Sequence, residues 1–390
     1  MLKIKTYNAI SVKGLDRFSR EKYEVASEIT SADGYILRSH KLHGEEIPSS
    51  VKAVARAGAG VNNIPVDEYT KKGVVVFNTP GANANAVKEL VLAGLLLSSR
   101  GIVSGMNFVS TLGEMTDAGE MSKLLESEKK RFAGNELYGK KLGVVGLGAI
   151  GSMVAEMGLA LGMDVAGYDP AISIEAAWRL PSAVIRKENL QSLLAHADYI
   201  SLHVPALEAT KGLINAEALK SMQKGAVLVN FARDAIVDAE AIVESLNEGH
   251  LGQYVCDFPE PCLIGRTDVI AMPHIGASTA EAEENCAVMA ANQLMDYLEN
   301  GNILNSVNFP AVQMSRAGKA RITFANDNVS GVLGHVLTVL ADNNVNVVDM
   351  MNKSRGDVAY NIIDVEDVPG EDVVNAISDV EHVISVRVLS

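Results

Sequence analysis

Between residues 141 and 277 six short apolar runs, LGVVG, DVAGYD, YISLHV, AVLVNF, QYVCDF and DVIAMP, are separated by helix-like intervals such as NAEALKSMQKG and DAEAIVESLNEG. No other feature restricts the folding of this chain so strongly. Runs this short and this continuously apolar suit strands buried on both faces, and such strands belong to parallel sheets whose crossovers are helices. Six of them predict a doubly wound α/β sheet. Residues 1 to about 97 repeat the pattern with LKIKTY, GYILRS, VKAVARAG and GVVVFNTP, so a second α/β region precedes the first.

The rest of the chain fills in around these two regions. AVKELVLAGLLLSSRG, 86 to 101, has the apolar positions of a buried helix closed by Gly101. The polar segment from about 104 to 137 carries the charge run ESEKKR at 126 to 131, which reads as a solvated helix face. A long helix begins at the capping box Ser278 to Glu281 and stops at Gly301. Residues 302 to 318 have weak periodicity and read as a linker. From 319 to 390 the order strand, helix, strand, strand, helix, strand gives the ferredoxin-like βαββαβ plan.

Glycine supplies the first chemical clue. In LGVVGLGAIG, Gly146, Gly148 and Gly151 spell GxGxxG between a strand and a helix. In a dinucleotide fold the first glycine makes the tight turn and the second lets the backbone approach a pyrophosphate; the third allows close helix packing, and the helix N-terminus holds the phosphates. Asp169 ends the next strand, 23 residues after Gly146 by the numbering, where an acid binds a ribose 2′-hydroxyl. No basic residue follows until Arg179, which favours NAD over NADP.

Three polar residues follow three predicted strands: Arg233 after AVLVNFA, Glu260 after QYVCDF and His274 after DVIAMP. Ligands bind at the carboxyl ends of parallel strands, so the three can converge despite their separation along the chain. Together they suit oxidation of a 2-hydroxy acid. Histidine titrates near working pH and takes the hydroxyl proton, a neighbouring carboxylate such as Glu260 fixes its ring, and arginine matches a carboxylate with a planar fork.

These segments resemble the D-isomer-specific 2-hydroxyacid dehydrogenase family. VVGLGAIG, HVPALEATKGLI at 203 to 214, VNFARDAIVD at 229 to 238 and MPHIGASTAEAEENC at 272 to 286 carry the resemblance, supported by ARAGAGVNNIP at 55 to 65 and VFNTPGANANAVKEL at 76 to 90. The resemblance implies Arg233, Glu260 and His274 as catalytic residues. It implies cofactor contacts at Gly146, Gly148, Ala149, Ile150, Gly151, Asp169, His203, Val204, Pro205, Thr210, Phe231, Ala232, Arg233, Asp257, His274 and Gly276. Arg38, Arg56, Asn83 and Ala84 are implied for a phosphorylated 2-hydroxy acid, with Arg38 and Arg56 meeting the phosphate.

It further implies an NAD domain, 98 to 277, inserted in a flavodoxin-like substrate domain of residues 1 to 97 and 278 to 310, with substrate in the cleft between them. The unit 319 to 390 resembles an ACT domain. Such a module commonly binds an amino-acid effector at a subunit interface, here through Asn328 and Asn346, and favours a homodimer or homotetramer.

Bulk properties narrow the alternatives. A net charge of −14 argues against nucleic acid, which demands a basic field. The longest apolar run, LVLAGLLL, is far too short for a membrane span, and the first residues lack the apolar core of a signal peptide. Cys256, Cys262 and Cys286 show no metal-ligand spacing and read as reduced, buried thiols of a cytoplasmic protein. Two other readings remain at the level of sequence: a reductase of other 2-keto acids such as 2-oxoglutarate, and a non-catalytic NAD-sensing corepressor.

Overall fold

Parallel pairing of buried apolar strands organises both α/β regions. β1 (Leu2–Thr6), β2 (Tyr23–Ala26), β3 (Gly34–Leu37), β4 (Ala53–Arg56) and β5 (Val75–Phe77) form one parallel sheet in the order β2-β1-β3-β4-β5, with α1 (Val12–Leu15) and α2 (Val66–Lys71) in the crossovers. This is the flavodoxin-like order. The apolar runs do not predict strand β2, because YEVA, at the sheet edge, alternates between buried and exposed positions instead of running apolar. The computed structural model describes residues 1–390, the side chain of Glu175 excepted.

The chain divides into two units, Met1–Asn83 with Ala280–Ser390, and Ala84–Thr279. The second unit opens with α3 (Ala84–Ser99), α4 (Ile102–Ser110) and α5 (Ala118–Glu128). Its strands are β6 (Lys141–Val145), β7 (Asp164–Tyr168), β8 (Ile185–Arg186), β9 (Tyr199–Leu202), β10 (Ala226–Asn230), β11 (Leu251–Cys256) and β12 (Val269–Ala271). The connecting helices are α6 (Ala149–Ala160), α7 (Ile174–Arg179), α8 (Leu190–Leu194), α9 (Ala216–Lys220) and α10 (Ala239–Asn247). All pairings are parallel, in the order β12-β11-β10-β9-β6-β7-β8. The order reverses between β6 and β9, the switch point where such sheets bind ligands.

Helix α3 departs from the sequence segmentation, which ends the first domain at residue 97. Its buried face, Val87, Val91 and Leu95, joins Leu142, Val144 and Val255 in one apolar cluster of the second unit. Gly94 permits the close approach: a Cβ there would stand 3.2 Å from the Phe231 ring. The ESEKKR run is a solvated surface, with Glu126 paired to Lys129 and Glu128 to Arg131.

The first unit resumes with α11 (Ala280–Asn300). The helix starts two residues after the expected cap, so Thr279 directly precedes it and Glu281 lies within its first turn. Residues 302–318 are no linker. Ile303, Phe309, Val312 and Met314 are buried with Phe77, Leu294 and Tyr297, and Asn308 accepts from Val76 N while donating to Thr70 and Val74. One-sided burial against a folded neighbour needs no internal periodicity, and this is why the sequence pattern is weak there.

The C-terminal strands β13 (Ala320–Asp327), β14 (Val347–Arg355), β15 (Val358–Val365) and β16 (Val383–Leu389), with α12 (Val332–Asp342) and α13 (Glu371–Ser378), form the expected antiparallel βαββαβ sheet in the order β14-β15-β13-β16. The central strands β13 and β15 are covered on both faces, while the edge strand β14 is largely exposed. Ile322, Phe324 and Ile363 pack against Val336, Leu340 and Ile377 of the helices, while Ala325, Tyr360 and Ile362 join the cluster around Phe77 and Tyr297. Arg321 and Asp364, both 0% exposed, pair at 2.6 Å, and Arg321 also donates to Asn300 O and Met314 O. Tyr360 donates to Gly301 O and Arg387 to Leu298 O, so three side chains of this sheet take up orphan carbonyls at the end of α11.

Candidate active site

The glycine turn has the geometry that the sequence implies. Gly146 adopts φ 88°, and a Cβ there would lie 2.8 Å from the His203 backbone; at Gly151 it would lie 1.8 Å from Gly146 O. Gly148 differs. A Cβ at Gly148 would meet nothing within 4 Å, and no side chain caps α6, which it precedes. Open space over an uncapped helix start, where the amides of Ala149, Ile150 and Gly151 lie in the first turn, is a ready cradle for a pyrophosphate.

Asp169 is tied to this turn. Its two carboxylate oxygens accept from Leu147 N at 2.8 Å and Ala171 N at 2.9 Å, so the acid is aimed by the glycine loop. The loop after β9 lies beside it, because Leu202 pairs with Val145 of β6. His203 N donates to Val145 O at 2.7 Å, and its ring contacts Ser201 Oγ at 2.8 Å. Burial pushes the His203 pKa down to about 3, so the ring is neutral at physiological pH. Thr210 Oγ1 donates to Pro205 O at 2.5 Å and accepts from Leu207 N, closing the loop that carries Val204.

Arg233, Asp257 and His274 come together at the carboxyl ends of β10, β11 and β12. Asn230, fully buried and overlooked in the sequence, accepts from Ala232 N and donates to Arg233 O at 2.8 Å, fixing the turn that also presents Phe231. An Asn ending a strand that is otherwise apolar was the available signal. His274 has a left-handed backbone, φ 46°, stabilised by donation of its N–H to Asp257 O at 2.8 Å. A residue with a Cβ held in that region marks strain imposed by its surroundings.

Phe258 links the two basic groups: its ring centroid lies 4.2 Å from that of His274, and the Arg233 guanidinium stands 5.7 Å from it. Glu260 is placed differently. It is exposed, precedes the short 3-10 turn Pro261–Leu263, and among the described residues makes no hydrogen bond or ion pair with His274. The short DFPEP segment brings Phe258, not Glu260, against the imidazole.

Asp257 is 1% exposed. One oxygen accepts from Gly276 N at 2.9 Å, and the other, Oδ1, is buried without a hydrogen-bond partner. Burial raises its pKa, against the lowering influence of Gly276 N–H, His274 and Arg233. An orphaned buried carboxylate oxygen beside a histidine and an arginine fits the carboxamide of a nicotinamide ring, whose N–H would satisfy it. The chain's residues therefore fit a whole dinucleotide, from phosphates to nicotinamide.

In the first unit, β3 and β4 pair with Leu37 opposite Arg56, so Arg56 and Arg38, one residue past that pair, lie at neighbouring strand ends. Arg56 Nε donates to Arg38 O at 2.9 Å, and Arg38 Nη1 pairs with Glu283 of α11 at 2.6 Å. Asn83 ends the first unit and Ala84 begins α3, whose first-turn amides point out of the helix start. Asn328 and Asn346 do not converge within one chain: Asn328 donates to Gly356 O at the β14–β15 turn, and Asn346 to Glu366 at the far end of those strands. Cys256 and Cys286 are buried and Cys262 is exposed, contrary to expectation, because it lies in the Pro261–Leu263 turn outside the sheet; all three are free.

A glycine turn at the switch point, an acid held by that turn and a histidine–arginine pair next to an orphaned aspartate define a nicotinamide-dinucleotide domain with acid–base equipment. The chain belongs to the D-isomer specific 2-hydroxyacid dehydrogenases. A profile of that family's NAD binding domain matches residues 103–276.

Among similar proteins, the D-3-phosphoglycerate dehydrogenase of Haemophilus influenzae is 33% identical over 338 residues, 83% of this chain and 78% of that protein. The one of Methanocaldococcus jannaschii is 33% identical over 339 residues, 85% of this chain and 61% of that protein. The chain thus spans only about three-fifths of the length of that archaeal relative. Among solved structures, NAD+-bound 3-phosphoglycerate dehydrogenase of Entamoeba histolytica is similar at 26% identity and a TM-score of 0.59, covering 79% of this chain and 98% of that one. TT0316 protein from Thermus thermophilus is similar at 30% identity and a TM-score of 0.61, covering 78% and 100%. Among the described residues no helix is long and apolar enough to cross a membrane.

Proposed function

We propose that the protein is an NAD-dependent dehydrogenase that oxidises the C2 hydroxyl of 3-phospho-D-glycerate to 3-phosphohydroxypyruvate, the entry into serine synthesis, in the cytoplasm. The observation that carries the chemistry is His274, strained and packed against the tilted Phe258 ring beside Arg233, with the orphaned oxygen of Asp257 within their electrostatic reach. The relatives named above support the substrate.

The chain's residues divide the work. The α6 amides and Asp169 would hold the pyrophosphate and adenine-side ribose of NAD, while Asp257 and His203 with its loop would flank the nicotinamide end. Bound NAD would supply the acceptor for the hydride that leaves C2. Arg233 takes the substrate carboxylate in a bidentate fork and orients C2. His274 removes the hydroxyl proton as negative charge builds on the oxygen, and the imidazolium then holds the new carbonyl by a hydrogen bond. Phe258 covers one face of the imidazole and keeps it from rotating into water. Arg38 and Arg56 receive the phosphate. Glu260 is the carboxylate available to pair with the imidazolium once it forms.

A single assay tests this reading. NADH formation is followed with 3-phosphoglycerate, with unphosphorylated glycerate, and in reverse with 2-oxoglutarate. Preference for the phosphorylated acid, and for NAD over NADP, is expected. Indifference to the phosphate would overturn the substrate, and binding of NADH without turnover of any 2-keto acid would make the protein a sensor instead of an enzyme.

A further inference from the structure

The anion-binding end of the first unit carries its own counter-anion. Register places Arg38 and Arg56 at neighbouring strand ends, and the Arg56 guanidinium leans on the Arg38 carbonyl. Two adjacent guanidiniums repel, and each lowers the other's hold on its place unless an anion is near. Glu283, in the first turn of α11, provides that anion to Arg38 at 2.6 Å. Cys286, one turn further along α11, is buried and feels Arg38, Arg56 and Glu283 together, which places the four side chains in one cluster. The bridge remains displaceable, because its partners are 42% and 46% exposed. An exposed pair of this kind is weak.

We propose that Glu283 is a specificity-determining residue: it occupies Arg38 when substrate is absent and must give way to the substrate phosphate, so its charge sets the affinity for phosphorylated against unphosphorylated acids. The proposal rests on the reading of Arg38 and Arg56 as the phosphate site. A phosphate dianion outcompetes a single carboxylate for a guanidinium because it offers more acceptor oxygens and more charge. Once displaced, the Glu283 carboxylate stays close to that dianion and repels it. Removing the charge therefore tightens phosphate binding, while an acid without phosphate gains nothing.

The test uses the full chain with Glu283→Gln, Glu283→Asp, Arg38→Ala and Arg56→Ala. For Glu283→Gln, KM for 3-phosphoglycerate and the inhibition constant of inorganic phosphate should both fall about three- to fivefold, the factor expected from losing one weak ion pair. Turnover, KM for NAD and KM for unphosphorylated glycerate should stay unchanged. Glu283→Asp keeps the charge and should retain the parent KM, separating charge from shape. An unchanged or raised KM for 3-phosphoglycerate in Glu283→Gln, with both arginine variants raising it, overturns this inference alone. If the arginine variants leave KM and phosphate inhibition untouched, the phosphate-site reading itself falls, and this inference with it.

Discussion

His274 holds a backbone conformation that costs about 1 kcal/mol or more for a residue with a Cβ, and the surroundings sustain it through Asp257 O and the Phe258 ring. An aromatic contact of this kind contributes about 0.5–1.5 kcal/mol. Phe258→Leu should therefore lower turnover by up to about tenfold with NAD affinity unchanged, and Phe258→Tyr should restore it. Glu260→Gln, which removes no hydrogen bond or ion pair to the imidazole in this structure, should cost less than Phe258→Leu; steady-state kinetics on the three variants decide the order.

Asp257 makes a second prediction with a definite sign. Its folded pKa is raised by burial, so the folded state binds the proton more tightly than the unfolded chain. Its contribution to stability is full below the unfolded value of about 3.9 and is lost as pH rises through the folded value. Once ionised, the buried, half-satisfied group burdens the fold. Asp257→Asn should raise the thermal midpoint at pH 7 while weakening NAD binding, measured by calorimetry with and without NAD; a lower midpoint would contradict the assignment.

At the scale of elements, α11 is held at its carboxyl end by Arg321, Arg387 and Tyr360 of the C-terminal sheet, and that hold depends on a buried ion pair. Burial alone would raise the Asp364 pKa, but hydrogen bonds from Arg321 and Ala317 N bring it below the usual carboxylate range. A depressed folded pKa gives stability above the unfolded value of about 3.9, lost as pH falls through the folded one. Arg321→Ala strands a buried carboxylate and should destabilise the first unit by about 3–5 kcal/mol. The paired change Arg321→Met with Asp364→Leu should cost much less. Denaturant titration of both variants distinguishes a buried pair from an incidental one.

At the scale of the whole molecule, α4 buries none of its nine residues although IVSGMNFVS is largely apolar, and Val103, Met106 and Val109 lie exposed with Leu96 of α3. Its other side packs on Phe132, whose ring lies 5.5 Å from that of Phe108, so the exposed apolar residues form a separate outer face, which the homo-oligomer expected from the sequence would cover. Met106→Glu should shift the protein toward monomer in light scattering without unfolding it. A net charge of −14 adds a further condition to the proposed function: a phosphorylated substrate would approach against the overall field, and Arg38 and Arg56 would have to reverse it locally.

Local pattern determined much of this protein. The parallel sheets, the glycine turn, the Asp169 strand end and the C-terminal βαββαβ unit are legible because each depends on residues within one supersecondary unit, where periodicity and turn chemistry act directly. Tertiary structure decided the remainder. Packing against Val255 drew α3 into the second unit, burial beside Phe77 turned residues 302–318 into core, and the short DFPEP loop set Phe258 rather than Glu260 on His274. These outcomes depend on surfaces brought together from distant parts of the chain. A side chain's partner across such a surface leaves no period and no spacing in the sequence that supplies it.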